Sequence, residues 1–182
     1  MIIEINGVST LNKSFSEVAN LLVGKPGAEL NIKVKRLNEI LQFTIPIGWK
    51  EEAYLYDGIG NFYYKKGYFK ESINYMQNAV EICKKHEYNQ GLEVTLSNLG
   101  TLYIKLKDYP KAEKYLLDSL NIAKNLDDKH VEAHIYSHFG EFYGNKGDKK
   151  TAESYFTKSY NLYKSIGDND DAQMIYDKHL KK

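Results

Sequence analysis

The stretch "SNLGTLYIKLKDY", residues 97 to 109, has the apolar spacing of a helix, yet Gly100 stands in its middle. An interior glycine costs a helix about 1 kcal/mol against alanine, so its presence asks for a packing reason. That reason emerges at an offset of forty residues, where Gly60, Gly100 and Gly140 fall in one column. Around them "GIGNFYYKKGYFKESINYMQNAVEICK" (58–84), "NLGTLYIKLKDYPKAEKYLLDSLNIAK" (98–124) and "HFGEFYGNKGDKKTAESYFTKSYNLYK" (138–164) align without a gap, the mark of an internal repeat.

The columns separate into two apolar stripes. Tyr56, Leu96 and Tyr136, then Ile59, Leu99 and Phe139, the glycines, and Tyr63, Tyr103 and Tyr143 form one stripe at helical spacing. Ser72, Ala112 and Ala152 open the other, followed by Tyr75, Tyr115 and Tyr155, by Ala79, Ser119 and Ser159, and by Ile82, Ile122 and Leu162. Between the stripes lie "KKGYF", "KLKDYP" and "NKGDKK", short polar segments that read as turns. Each unit is therefore a helix, a tight turn and a second helix. A glycine on the first helix facing an alanine or serine on the second would let the two axes approach closely, with the aromatics filling the space beside the contact. These repeat columns also absorb half of the sixteen tyrosines, an unusual number beside a single tryptophan.

These units resemble tetratricopeptide repeats. The middle one carries the family pattern as Leu96, Leu99, Gly100, Tyr103, Ala112, Leu116 and Ser119. Tyr56, Leu96 and Tyr136 stand at the family's tryptophan position, and Lys84, Lys124 and Lys164 replace the proline that often closes the second helix. With its forty-residue period the array is similar to the longer repeats of kinesin light chains and of bacterial peptide-sensing regulators. The resemblance implies a mainly α fold, a solenoid of antiparallel helix pairs, with repeats over 53–92, 93–132 and 133–168. The final "DDAQMIYDKHLKK" places Tyr176 in register with Tyr136, so residues 169–182 read as a terminal capping helix or as the start of a further unit.

The first forty-seven residues do not follow the repeat. "IIEI" reads as a strand closed by the "NG" turn, and "SFSEVANLLVG" as a helix with Ser14 as N-cap and Glu17 completing a capping box. After a turn at "GKPG", "ELNIKVKR" and "LQFTIPI" form a hairpin. This order resembles the C-terminal half of a PDZ domain of tail-specific bacterial proteases, joined to the repeats by a linker over 48–52. In that family a Gly-Asp pair precedes the phrase, and the absent first half binds the peptide. Of the groove, only the helical wall around Val18 to Leu22 remains. So small an α+β unit is marginal alone. It must dock on the repeats, pair with another chain through its open sheet edges, or be a remnant of a longer gene; the last two are favoured.

Composition excludes several classes. Twenty-five basic and twenty-four acidic residues leave a net charge of +1, which argues for no nucleic acid and no membrane partner. The single Cys83 permits no disulfide framework, and no apolar run is long enough to span a bilayer, so the chain as written reads as cytoplasmic. Cys83 reads as a packing residue. The chain has no phosphate loop, nucleophile elbow or paired carboxylates, and the sequence predicts no enzyme and no cofactor.

In a repeat solenoid the first helices line a groove, and the columns that vary there are Asp57, Asn61 and Lys65; Ser97, Asn98, Thr101 and Lys105; and His134, His138, Glu141 and Asn145. A polar, nonrepeating surface of this kind suits recognition of a peptide or protein segment. Some members of the family clamp a terminal carboxylate. Asn61 and Asn98 match that clamp's asparagines, whereas Asp57, His134 and His138 replace its cations. The histidines would then make binding of an acidic peptide depend on pH. His134, His138 and Glu141 also share a helix face, but no second helix supplies further ligands, so no metal is expected. The resulting reading is a protein-interaction module. Its alternatives are a sensory or regulatory segment of a larger signalling protein and a non-catalytic accessory piece of a tail-specific protease system.

Overall fold

The computed structural model describes residues 2–23, 29–36 and 39–181. The expected turn at "GKPG" lies outside them. Two compact units divide the chain, residues 1–86 and 87–182.

The first unit begins with β1 (Ile2–Ile5), a two-residue loop, and β2 (Val8–Ser9). Asn6 and Gly7 both take positive φ, 49° and 79°, as the tightest hairpin loops require. The sequence reading missed β2, a strand too short to show alternation. Helix α1 (Phe15–Leu22) starts at Ser14, whose backbone and side chain are tied to Glu17 in the expected capping box. Strands β3 (Glu29–Arg36) and β4 (Glu39–Pro46) complete an antiparallel sheet in the order β2-β1-β3-β4. Helix α1 uses two faces. Val18, Leu21 and Leu22 pack on Ile5, Leu30 and Ile47 of the sheet unit. Ala19 and Val23 pack against Ile59, Tyr63 and Tyr75 of the first helix pair. The Tyr75 hydroxyl donates to Asn20 Oδ1 at 2.8 Å. The small sheet thus docks on the first repeat, the least favoured of the three expectations, because α1 carries an apolar residue on each side.

Helices α2 (Trp49–Lys66) and α3 (Phe69–Lys85) complete the first unit. The segment 48–52, read from sequence as a linker, holds the N-cap and first turn of α2. Gly48 N–H donates to Glu51 Oε2 at 3.0 Å, which starts the helix early. The second unit contains α4 (Asn89–Lys105), α5 (Tyr109–Asn125), α6 (Lys129–Asn145), α7 (Lys149–Ser165) and α8 (Asn169–Ile175). A π-helical turn, Tyr176–Leu180, follows α8.

The repeated glycine does face the second helix, close to the backbone of its small residue in the first two repeats, and closer still to a large side chain in all three. A Cβ built on Gly100 would lie 2.7 Å from Leu116 Cδ2 and 2.8 Å from Leu116 Cγ, and 3.5 Å from the Ala112 carbonyl. On Gly60 it would meet Met76 Cγ at 2.7 Å, and on Gly140 the Phe156 ring at 2.5 Å. The glycine is therefore a seat for a large side chain sixteen residues further on. Met76, Leu116 and Phe156 are all buried there. Beside each seat a tyrosine pair stacks across the two helices: Tyr63 on Tyr75, Tyr103 on Tyr115 and Tyr143 on Tyr155, with centroids 5.3, 5.5 and 5.4 Å apart. Such pairs add about 0.5–1.5 kcal/mol beyond the area they bury.

The turns keep a cadence of half the repeat. Gly67, Glu87, Lys107, Asp127, Gly147 and Gly167 all take positive φ, one every twenty residues. At Lys107 the left-handed residue donates its N–H to Ile104, and Asp108 donates back to Tyr103, the paired bonds of a Schellman ending. Asp108, Asp128, Asp148 and Asp168 come next in the same cadence and cap α5, α6, α7 and α8. Half of the left-handed positions are not glycine, and an L-residue pays about 1 kcal/mol or more there.

Two predictions follow from this packing. Gly100→Ala should lower stability by about 1–3 kcal/mol in chemical denaturation, despite the better helix former. In a Leu116→Ala background the same change should cost nothing; an equal cost in both backgrounds would refute the seat. Lys107→Gly should stabilise the fold by less than about 1 kcal/mol, read as a raised thermal midpoint, because it relieves positive φ.

Candidate functional site

Within the first unit, the Asn61 side-chain amide donates to Asp57 Oδ2 at 2.9 Å, and Lys65 lies exposed one turn further along α2. Cys83 is buried behind this face. Burial first, and the Asp57 carboxylate after it, raise its thiol above the ordinary range, which suits a packing residue rather than a nucleophile.

Within the second unit, the first helices α4 and α6 lie in contact. Ser97, itself buried, meets His138 Nδ1 through its hydroxyl at 2.8 Å. Thr101 donates to the Ser97 carbonyl, and Asn145 to the Glu141 carbonyl, so both side chains are held against their own helix. The His134 and His138 rings lie 4.4 Å apart. Asn98 and Thr101 are half-buried on α4, while His134, Asn145 and Lys105 are exposed. Ser97 and His138 thus join the two helices, and Asn98, Thr101, His134 and Glu141 form the more open part of the face.

The sequence reading missed the contribution of the chain after α8. Carrying the forty-residue register past Tyr176 places Lys178 in the column of Asn98 and His138, and Lys181 in that of Thr101 and Glu141. Lys178 Nζ pairs with Glu141 Oε1 at 3.2 Å. The π-helical turn also stacks His179 on Phe156, with centroids 3.7 Å apart. The same register puts Val94 and Met174 beside His134, 40% and 51% exposed. A search for polar variation passes over these two, yet they give the face an apolar margin.

The expected role of the histidines as cations does not fit their surroundings. Desolvation of the His138 ring first, then the neighbouring His134 and Lys178, push its imidazole down to about 3. His134 is lowered in the same direction, because its ring, though exposed on one side, lies against that of His138 and is partly desolvated, with His130 second. Both are neutral near pH 7, and an acidic peptide would find no charge on His138. Its Nδ1 is engaged by Ser97 and Glu141 is engaged by Lys178, so two of the three residues considered as metal ligands already have partners.

A different group gathers at the start of α8. His130 Nε2 lies 3.2 Å from Asp168 Oδ2 and 3.4 Å from Asp171 Oδ2. Asp168 also caps α8 through the Asp171 N–H, so the cluster ties α6 to the terminal helix. Elsewhere in the second unit Glu93 stands in the column of Ala53 and Ala133 and is 1% exposed. Burial, then the Asp128 carboxylate, raise Glu93 to about 7.

A family model described as tetratricopeptide repeat matches residues 51–125 and, one repeat on, 91–165. The chain belongs to the tetratricopeptide repeat family. Solved structures agree on the fold. A Rap protein complexed with competence and sporulation factor superposes with a TM-score of 0.62 at 22% identity, over 72% of this chain and 43% of that one. Aspartyl phosphate phosphatase F from Bacillus subtilis gives 0.62 at 19% identity, over 74% and 40%. The N-terminal domain of stress-induced protein-1 (STI-1) from C. elegans gives 0.52 at 15%, over 71% and 98%. This tetratricopeptide repeat chain therefore spans less than half of the length of the first two. No curated protein sequence matches it significantly. No helix among the described residues is long and apolar enough to cross a membrane.

The titrations of this face predict a pH signature. Between its depressed value of about 3 and the ordinary imidazole value near 6.5, native His138 refuses a proton that the unfolded chain binds. Its contribution to stability is therefore full above pH 6.5 and is lost as pH falls toward 3, by up to about 1.4 kcal/mol per pH unit. Glu93 acts with the opposite sign: its raised value favours the native state below pH 4.5, and this is lost as pH rises through 7. The readout is thus the difference between parent and His138→Asn, which keeps an acceptor for Ser97. Between pH 7 and pH 5 the variant should lose less stability than the parent; parallel curves would contradict the desolvated imidazole.

Proposed function

We propose that this tetratricopeptide repeat chain is a protein-interaction module that binds a peptide or protein segment along the face of its first helices. The observation that carries the reading is a regular frame bearing an irregular surface. Gly100 and Gly140 sit in equivalent seats, while the α4 and α6 side chains between them run from Asn98 and Thr101 to His134, His138 and Glu141. A fixed backbone spacing with changing polar groups can read an extended ligand position by position. Ser97, Lys105 and Asn145 are read as part of this surface, and Asp57, Asn61 and Lys65 stand in the same columns on α2, where they are read as the corresponding face of the first unit. Recognition on the second unit's face rests on hydrogen bonds and on the apolar margin of Val94 and Met174, with a cation from Lys105 rather than from histidine. The reading assigns no catalytic role.

A second reading, a regulatory segment of a larger signalling protein, is favoured by the likeness to the Rap protein bound to competence and sporulation factor and to aspartyl phosphate phosphatase F. The N-terminal unit is read as half of a PDZ-like domain on the order of its strands and helix. An accessory role beside a tail-specific protease rests on that resemblance alone.

The test is capture of binding peptides from a displayed library by the full chain, followed by titration of the selected peptide. Replacing both Asn98 and Lys105 of the second unit by alanine should weaken binding about tenfold, as expected for two hydrogen bonds, with an unchanged circular dichroism spectrum. Undiminished affinity would place the binding surface elsewhere on the chain.

A further inference from the structure

We propose that the edge strand β4 pairs with β4 of a second copy, antiparallel, and joins two sheets into one across a two-fold axis. Strand β4 bonds to β3 on one side, and its other side is the edge of the sheet. Natural edge strands are protected by charge, by bulges, by proline or by shortness. The opposite edge, β2, is two residues long. Strand β4 is eight residues long, keeps unbroken register with β3 from Glu39 to Pro46, and carries no charge between Ile40 and Ile45. Its proline is the last residue, where it interrupts nothing.

The side chains of this strand fit their own copy. Leu41, Phe43 and Ile45 pair with Val34, Ile32 and Leu30 and so share the apolar face of the sheet. Helix α1 covers the part of that face around Ile5 and Leu30. The β4 row stays open, with Leu41, Phe43 and Ile45 at 38%, 47% and 41% exposed. A two-fold axis perpendicular to the sheet keeps apolar faces together only if odd residues meet odd residues. Of the two registers nearest the middle of the strand, the one centred on Gln42 would set Glu39 against Ile45, whereas the other sets Phe43 against Phe43 of the second copy and Leu41 against Ile45. A continuous apolar band results, bounded on the other face by Gln42 against Thr44.

Charge selects the same arrangement. The one ionised side chain of the strand, Glu39, lies four residues from the axis, so the two copies stand roughly 27 Å apart at strand spacing, beyond a Debye length in physiological salt. A parallel, in-register pairing would instead set Glu39 beside Glu39. One strand pair buries less than the ~1,200 Å² of a standard interface, so the dimer should be of micromolar strength.

Sedimentation velocity on the full chain tests this. A dimer at ~100 μM that dissociates at ~1 μM is expected. Phe43→Lys, which sets like charges against each other at the axis, should abolish it, with thermal melting checking that the variant is folded. The register has its own probe, since the only native cysteine, Cys83, is buried. Phe43→Cys should cross-link to its own copy under mild oxidation, because directly opposed Cα atoms lie within disulfide reach. Ile40→Cys, the more exposed position at 64%, should not, as its copy lies six residues along the partner strand. A monomer at every concentration overturns the proposal. So does a dimer that survives Phe43→Lys, or cross-linking of Ile40→Cys at least as fast as of Phe43→Cys.

Discussion

A large side chain resting on a bare Cα sets the distance between the two helices of every repeat. Met76 on Gly60, Leu116 on Gly100 and Phe156 on Gly140 are three solutions to one steric problem, with three different shapes on the same seat. Once that distance is set, the tyrosine pairs can stack at 5.3 to 5.5 Å beside it. The small residues of the second helix then keep its backbone close, with the Ser72 and Ala112 carbonyls at 3.3 and 3.5 Å from the glycine's missing Cβ. The intrinsic helix penalty of the glycine is small beside the burial of a Leu or Phe side chain, about 1.5–3 kcal/mol each.

Much of this architecture was legible in the sequence, because periodicity exposes columns whatever their chemistry. The forty-residue register located the helices, the turns and the tyrosines. It did not show which residues face one another, since a column records what recurs and not what touches. Leu116 was recognised as a member of the pattern while its place over Gly100 was not. The twenty-residue cadence stayed hidden for a similar reason. Its left-handed positions hold Gly, Glu, Lys or Asp, so no residue type marks them, and backbone conformation alone makes them equivalent.

The candidate face was less legible, because its behaviour depends on surroundings. His138 looks like a cation in the sequence and is neutral in the fold, since Ser97 and the packed helices strip its solvent. Lys178 falls in the segment the sequence marks only as a cap, and in the fold it pairs with Glu141 of α6. Glu93 occupies an alanine column without a compensating cation evident in the sequence, and its raised affinity for protons is how the fold accommodates it. These are effects of third dimension and dielectric, which residue spacing does not encode.

Helices α3 to α7 are each seventeen residues long. Within the second unit each joins the next through three residues. The chain is in this sense clocked: every helix leaves its turn at the same rotational phase. One residue added inside a helix would turn all that follows it by about 100° and carry the seat out from under its occupant. Tolerated changes of length should therefore come as whole repeats of forty, since a single added helix and turn would reverse the direction of every helix after it and set seats where their occupants belong.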